Sequence, residues 1–123
     1  MADMDSSLKE AMQIEGAVGV ALVDFTSGMA LGTLGSNKDI DLTVAAAGNT
    51  DVVRAKLRTM EMLKIKDQIE DILITLGSQY HMIRLMSGRN TSGLFLYIVL
   101  LKNRANLAMA RHQLRAIEEN LQM

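Results

Sequence analysis

Two eight-residue runs constrain this chain most: AVGVALVD at 17–24 and LFLYIVLL at 94–101. Successive side chains of a strand point to opposite faces, so a run that is apolar at both parities is buried on both faces. Each run is too short to span a bilayer, which takes about 20 apolar residues. The two therefore predict central strands of a sheet covered by helices on both sides. In the first run, Val18, Val20 and Leu22 face one way and Ala17, Gly19, Ala21 and Val23 the other. The small residues of the second set predict a closely approaching helix.

Helical and strand signals fill in the rest. Ser6 or Ser7 is expected to cap a short first helix, with Leu8, Ala11 and Met12 as its buried stripe and Gly16 as a left-handed stop. DFTSG at 24–28 is turn chemistry, and 29–34 returns as a second strand. Ser36 and Asp39 fit a capping box. A long helix follows to about residue 64, with Leu42, Ala45, Ala46, Val52, Val53, Leu57, Met60 and Leu63 on its apolar side. Residues 70–76 and 80–86 alternate as a third and fourth strand, less apolar and so nearer a sheet edge. SGRNTSG at 87–93 is a loop. The last helix starts at Asn103 or Asn106 and buries Leu107, Ala110, Leu114, Ile117 and Leu121; Arg111, Arg115, Glu118 and Glu119 are assigned to its wet side. The order is α-β-β-α-β-β-β-α. This is an α+β chain with a five-stranded, mostly antiparallel sheet, read as a single domain over 1–123 with its core at about 6–121.

The chemistry-bearing residues are sparse. There is no cysteine, proline or tryptophan, and His81 and His112 are the only histidines. Thiol chemistry and thiolate metal sites are excluded, and neither histidine has ligands spaced for a metal. With 13 basic and 14 acidic side chains, the chain lacks the basic surplus of a nucleic-acid-binding protein. Gly28–Lys38 is rich in glycine but is not a phosphate loop, because Lys38 follows asparagine and precedes Asp39. The adjacent pairs Glu70-Asp71 and Glu118-Glu119 diverge in direction and read as solvated. No catalytic group, metal or cofactor is expected. The acidic N-terminal stretch is unlike a targeting segment, so a cytoplasmic location and no membrane insertion are expected.

The long helix is the anomaly. AAAG at 45–48 has almost no side-chain bulk, and Val44, Ala47 and Met62 lie off its main stripe. One face is expected to pack on the sheet and another to meet a second copy. An exposed third strand would pair with its symmetry mate. Ala45, Ala46, Ala47, Gly48, Val52, Ile72 and Ile74 are the expected interface. Asp51, Arg54, Lys56, Arg58, Glu61 and Lys64 are the expected contacts to another protein.

IEGAVGVALVDFTSG at 14–28, the long helix, and LFLYIVLLKNRANLAMARHQL at 94–114 together resemble the Roadblock/dynein-light-chain family. The resemblance implies a strand order of 2-1-5-4-3, with the long helix on one face and the terminal helices on the other. It also implies homodimers or heterodimers with a homologous chain, in which long helices align and edge strands join. It implies a non-catalytic partner of Ras-like small GTPases that biases their nucleotide state. In that setting Arg54, Arg58 or Arg89 is a candidate arginine finger. The alternatives are a structural dimerisation or scaffold subunit of a signalling or motor complex, and a small-molecule sensor.

Overall fold

The computed structural model describes residues 2–35, 40–88 and 90–123. The expected capping box at Ser36 and Asp39, the rejected phosphate-loop lysine Lys38, and Arg89 lie outside the described residues. The elements are α1 (Met4–Met12), β1 (Ala17–Asp24), β2 (Met29–Gly35), α2 (Leu42–Met62), β3 (Asp71–Thr75), β4 (Gln79–Leu85), β5 (Leu94–Leu101) and α3 (Leu107–Asn120). The strands form one antiparallel sheet in the order β2-β1-β5-β4-β3.

The two doubly apolar runs, β1 and β5, lie side by side near the middle, and their two faces belong to two cores. On one face Val20, Leu22, Met82, Leu96, Ile98 and Leu100 pack with Leu8 and Ala11 of α1 and Ala110, Leu114 and Ile117 of α3. On the other, Ala21, Val23, Ile83, Phe95, Tyr97 and Val99 pack with Leu42, Ala46 and Val53 of α2. Each fully buried aliphatic or aromatic side chain contributes roughly 1.5–3 kcal/mol, so these layers, not helix propensity, hold the helices in place.

Four local expectations are corrected. Asp3, not Ser6 or Ser7, caps α1: its carboxylate accepts from the Ser6 N–H at 2.8 Å, and Ser7 is buried. Asp41 caps α2 by accepting from Thr43 N and Val44 N at 3.0 and 3.2 Å. The helix therefore spans 21 residues, roughly 31 Å at about 1.5 Å per residue. A register shift between Ala17 and Gly19 puts Val18 on the α2 side and Ala17 on the α1/α3 side, reversing the strict alternation there. Beyond that shift the alternation holds, and Gly19 lets Leu42 of α2 come close: a β-carbon there would lie 3.5 Å from a Leu42 methyl.

Gly16 does adopt a left-handed conformation (φ 91°), but it closes the turn into β1 rather than the helix, which ends at Met12 with Gln13 as its cap. The two ends of the chain meet. Ala2 N donates to Asn120 O at 2.7 Å and Gln122 N to Ala2 O at 2.8 Å, joining the two ends.

Candidate functional site: the long helix and the uncovered sheet edge

Turning about 100° per residue, α2 divides into four faces. Leu42, Ala46, Thr50, Val53 and Met60 form the buried one. Ala46 is wholly buried in its own chain, and so is removed from the set expected at an interface. The flank toward β2 carries Arg54, whose Nε donates to Phe25 O at 3.0 Å and whose Nη2 donates to Thr26 O at 2.6 Å. That guanidinium is engaged by the β1–β2 turn and is not a free finger. The outward face, opposite the core, carries Val44, Asp51, Ala55, Arg58 and Met62, all exposed, with Ala47 at one margin and Gly48 at the other, where it borders the fourth flank. Glu61 and Lys64 are also exposed.

The fourth flank looks toward β4 and β3 and carries Ala45, Asn49, Val52 and Lys56. Here the sheet is incompletely covered. Ile83 and Tyr97 are buried, but Ile72, Ile74 and His81 are only half-buried. β3 pairs with β4 alone among the described residues, so its other edge presents unpaired backbone groups. Val44 at 66% and Val52 at 37% exposure, with Leu76 at 42%, rim the same region. Thus the structure brings Ala45, Gly48 and Val52 of α2 to the same side as Ile72 and Ile74 of β3. Ala47 lies toward the other side of the helix.

Polar groups line the shallow trough between this flank and the sheet, a space of about 440 Å³ bordered by Ile40, Asp41, Val44, Ala45, Gly48, Asn49, His81 and Tyr97. Tyr97 Oη and His81 Nδ1 are 2.9 Å apart, and His81 Nε2 and Gln79 Oε1 are 3.0 Å apart. Burial pushes the His81 ring below the usual imidazole value. It also raises the Tyr97 phenol, an effect partly offset by the neighbouring Asn49 side chain.

The start of β3 is tied to α3 on the opposite face. Arg111 donates to both Asp71 oxygens at 3.0 and 3.2 Å, and Arg115 reaches Glu70 at 3.3 Å. Both pairs are partly or well exposed and contribute little each. Glu118, assigned to the wet side by its neighbours in sequence, is instead buried against Arg84. The available signal was Arg84 itself: it alternates with Tyr80 and Met82 on an inward strand face, and a buried guanidinium requires a partner. No group of three or more His, Asp or Glu able to hold a metal ion occurs among the described residues. No helix among them is long and apolar enough to cross a membrane.

No protein-family model matches the sequence, and no curated protein sequence matches it. Solved structures do. A Roadblock/LC7 domain from Streptomyces avermitilis superposes with a TM-score of 0.79 at 13% identity, over 96% of this chain and 93% of that one. Myxococcus xanthus MglB superposes with a TM-score of 0.74 at 17% identity, over 93% of this chain and 84% of that one. An MglB with tetrameric arrangement gives 0.69 at 16% identity, over 94% and 87%. Strand order, helix placement and these superpositions agree: the chain has the Roadblock/LC7 fold.

Proposed function

We propose that this chain is a non-catalytic regulatory module that works as a dimer and binds a Ras-like small GTPase on the outward face of α2. The observation that carries the reading is the half-bare sheet face. The chain's own α2 covers β1, β2 and β5, while Ile72, Ile74 and His81 stay half-exposed beside an unpaired β3 edge. A second copy, antiparallel to the first, would cover those residues with the Ala45–Gly48–Val52 flank and pair the two β3 edges. The tetrameric arrangement of the similar MglB supports association of such chains with one another.

Dimerisation would place two outward faces side by side. Each then presents Asp51, Arg58, Glu61 and Lys64 as a mixed-charge platform, with Lys56 at the seam. Such a platform biases a GTPase by binding one switch-loop conformation better than another, and supplies no reacting atom. The resemblance of the sequence to Roadblock proteins is what selects a GTPase among possible partners.

Sedimentation of the purified chain, followed by binding to a Ras-like GTPase loaded with GDP or with a non-hydrolysable GTP analogue, tests both halves. A dimer that prefers one nucleotide state is expected. A dimer indifferent to both would leave the scaffold reading, and a monomer at micromolar concentration would overturn the dimer.

A further inference from the structure

The trough beside α2 holds an ordered chain of hydrogen bonds whose direction can be assigned. Gln79 Oε1 is an acceptor only, so the His81 Nε2–H donates to it at 3.0 Å. The neutral ring then accepts at Nδ1, and the proton between Nδ1 and Tyr97 Oη belongs to tyrosine, at 2.9 Å. The chain therefore runs Tyr97, His81, Gln79, from β5 to β4, beside the Ala45 and Asn49 flank of α2, and has this direction while His81 is neutral.

We propose that this chain is an acid-sensitive latch on the face that receives the second copy, so that protonation of His81 weakens self-association. The inference rests on the dimer reading above and adds its regulation. A protonated ring carries a donor at both nitrogens. The new Nδ1–H would meet the Tyr97 O–H, donor against donor. Tyrosine must then turn its proton away and become the acceptor, and the new charge sits in the trough that the partner's flank would cover.

The surroundings of His81 offer the charge little. Ile74 of β3 and Val99 of β5 are its cross-strand neighbours. From β3, Ile72 and Ile74 share its face and are apolar. From α2, Val44, Ala45, Gly48 and Asn49 border the trough, and Lys56 lies two turns farther along the same flank. The single charged group lining the trough among the described residues is Asp41, and its carboxylate is already engaged by the Thr43 and Val44 N–H groups. Tyr97 is the other titratable neighbour and stays neutral across this range, because burial raises it. A second copy seated over the trough would exclude the water that now helps solvate the ring.

The sign follows from linkage. Burial already lowers the ring's proton affinity in the single chain, and a partner seated over the trough would lower it further, so the separated chain binds more protons in mild acid. The dimer is expected to hold at neutral pH and to weaken only as the pH falls through the lowered value of the separated chain's ring, on the acid side of the usual 6.5. Sedimentation equilibrium at pH 7.5 and 5.5 on the wild type, His81→Gln and His112→Gln tests this. The expected result is a rise in the dimer dissociation constant of about threefold or more on acidification for the wild type and His112→Gln. His81→Gln, which cannot titrate, is expected to show a flat response.

A wild-type dimer insensitive to pH, or an unchanged pH dependence in His81→Gln, overturns the latch and leaves the dimer standing. A wild type monomeric at both pH values overturns the dimer and the latch together. Should His81→Gln fail to fold, the wild-type ring is titrated by NMR at two protein concentrations. The latch requires its midpoint to fall as concentration rises, and an unmoved midpoint refutes it.

Discussion

Arg84 Nε on β4 donates to Glu118 Oε1 on α3 across 2.6 Å, with both side chains less than a tenth exposed. The second carboxylate oxygen accepts from Ser87 N at 2.8 Å and Ser87 Oγ at 2.6 Å. One carboxylate thus fixes the last helix, the fourth strand and the loop after it. Removing one partner of a buried pair strands the other charge, so Glu118→Ala is expected to cost about 3–5 kcal/mol. Arg84→Met combined with Glu118→Leu leaves no orphaned charge and is expected to recover most of that loss. Urea denaturation of the three variants checks the order; equal losses in the single and double variants would refute it.

The same carboxylate makes part of the acid stability. Burial alone would raise the Glu118 carboxyl above its usual 4.5, but the hydrogen bonds from Ser87 and Arg84, with the Arg84 charge, outweigh it and hold the group low. A depressed carboxyl contributes stability that is complete above its unfolded value and is lost as pH falls through the folded one. The chain is therefore expected to lose stability progressively below about pH 4.5. Glu118→Gln is expected to be less stable at neutral pH and to show a shallower acid limb, followed as the thermal midpoint against pH.

Arg54 and Arg58 look equivalent in sequence but are not. Arg54 clasps the carbonyls of Phe25 and Thr26, whereas Arg58 lies exposed on the outward face of α2. Arg54→Ala is expected to lower stability by about 1 kcal/mol, as two partly solvated hydrogen bonds are lost. Arg58→Ala is expected to leave stability within about 0.5 kcal/mol, and to weaken binding of the proposed GTPase partner. Thermal denaturation paired with binding measurements separates the two. A stability loss confined to Arg58→Ala would contradict the assignment.

The legible part of this fold was its layering. Two faces of apolar residues in β1 and β5 demanded cover on both sides, and the bounds of those strands follow directly from the apolar runs. Helix starts were less legible. Asp3 and Asp41 compete with serines three to five residues away, and capping depends on where packing of Leu8 and Leu42 sets the first turn. Val18 was misplaced because a bulge adds a residue without any local composition signal. Glu118 was missed because helical neighbours reveal its direction but not that a strand arginine lies opposite. Ala46 was misassigned because the small-residue run supplies both the close packing on the sheet and the exposed flank. Only the three-dimensional placement of α2 separates Ala46 from Gly48.

Gly48 offers the cleanest test of the interface. It is exposed on α2, and a β-carbon added there would meet nothing within 4 Å. Replacing a mid-helix glycine removes backbone freedom from the unfolded chain, so Gly48→Glu is expected to raise the stability of the single chain by roughly 0.5–1 kcal/mol. In the proposed dimer the same carboxylate would be buried without a partner on each of two copies, a cost of several kcal/mol. Since about 1.4 kcal/mol is a factor of ten, the dissociation constant is expected to rise about 100-fold or more. Ala108→Glu, at an exposed position of α3 on the opposite face of the sheet, is the control and is expected to leave association unchanged. Sedimentation velocity over a concentration series reads the effect, and thermal denaturation confirms the fold. A Gly48→Glu chain that is well folded and still dimeric would place the interface elsewhere than on this flank of α2.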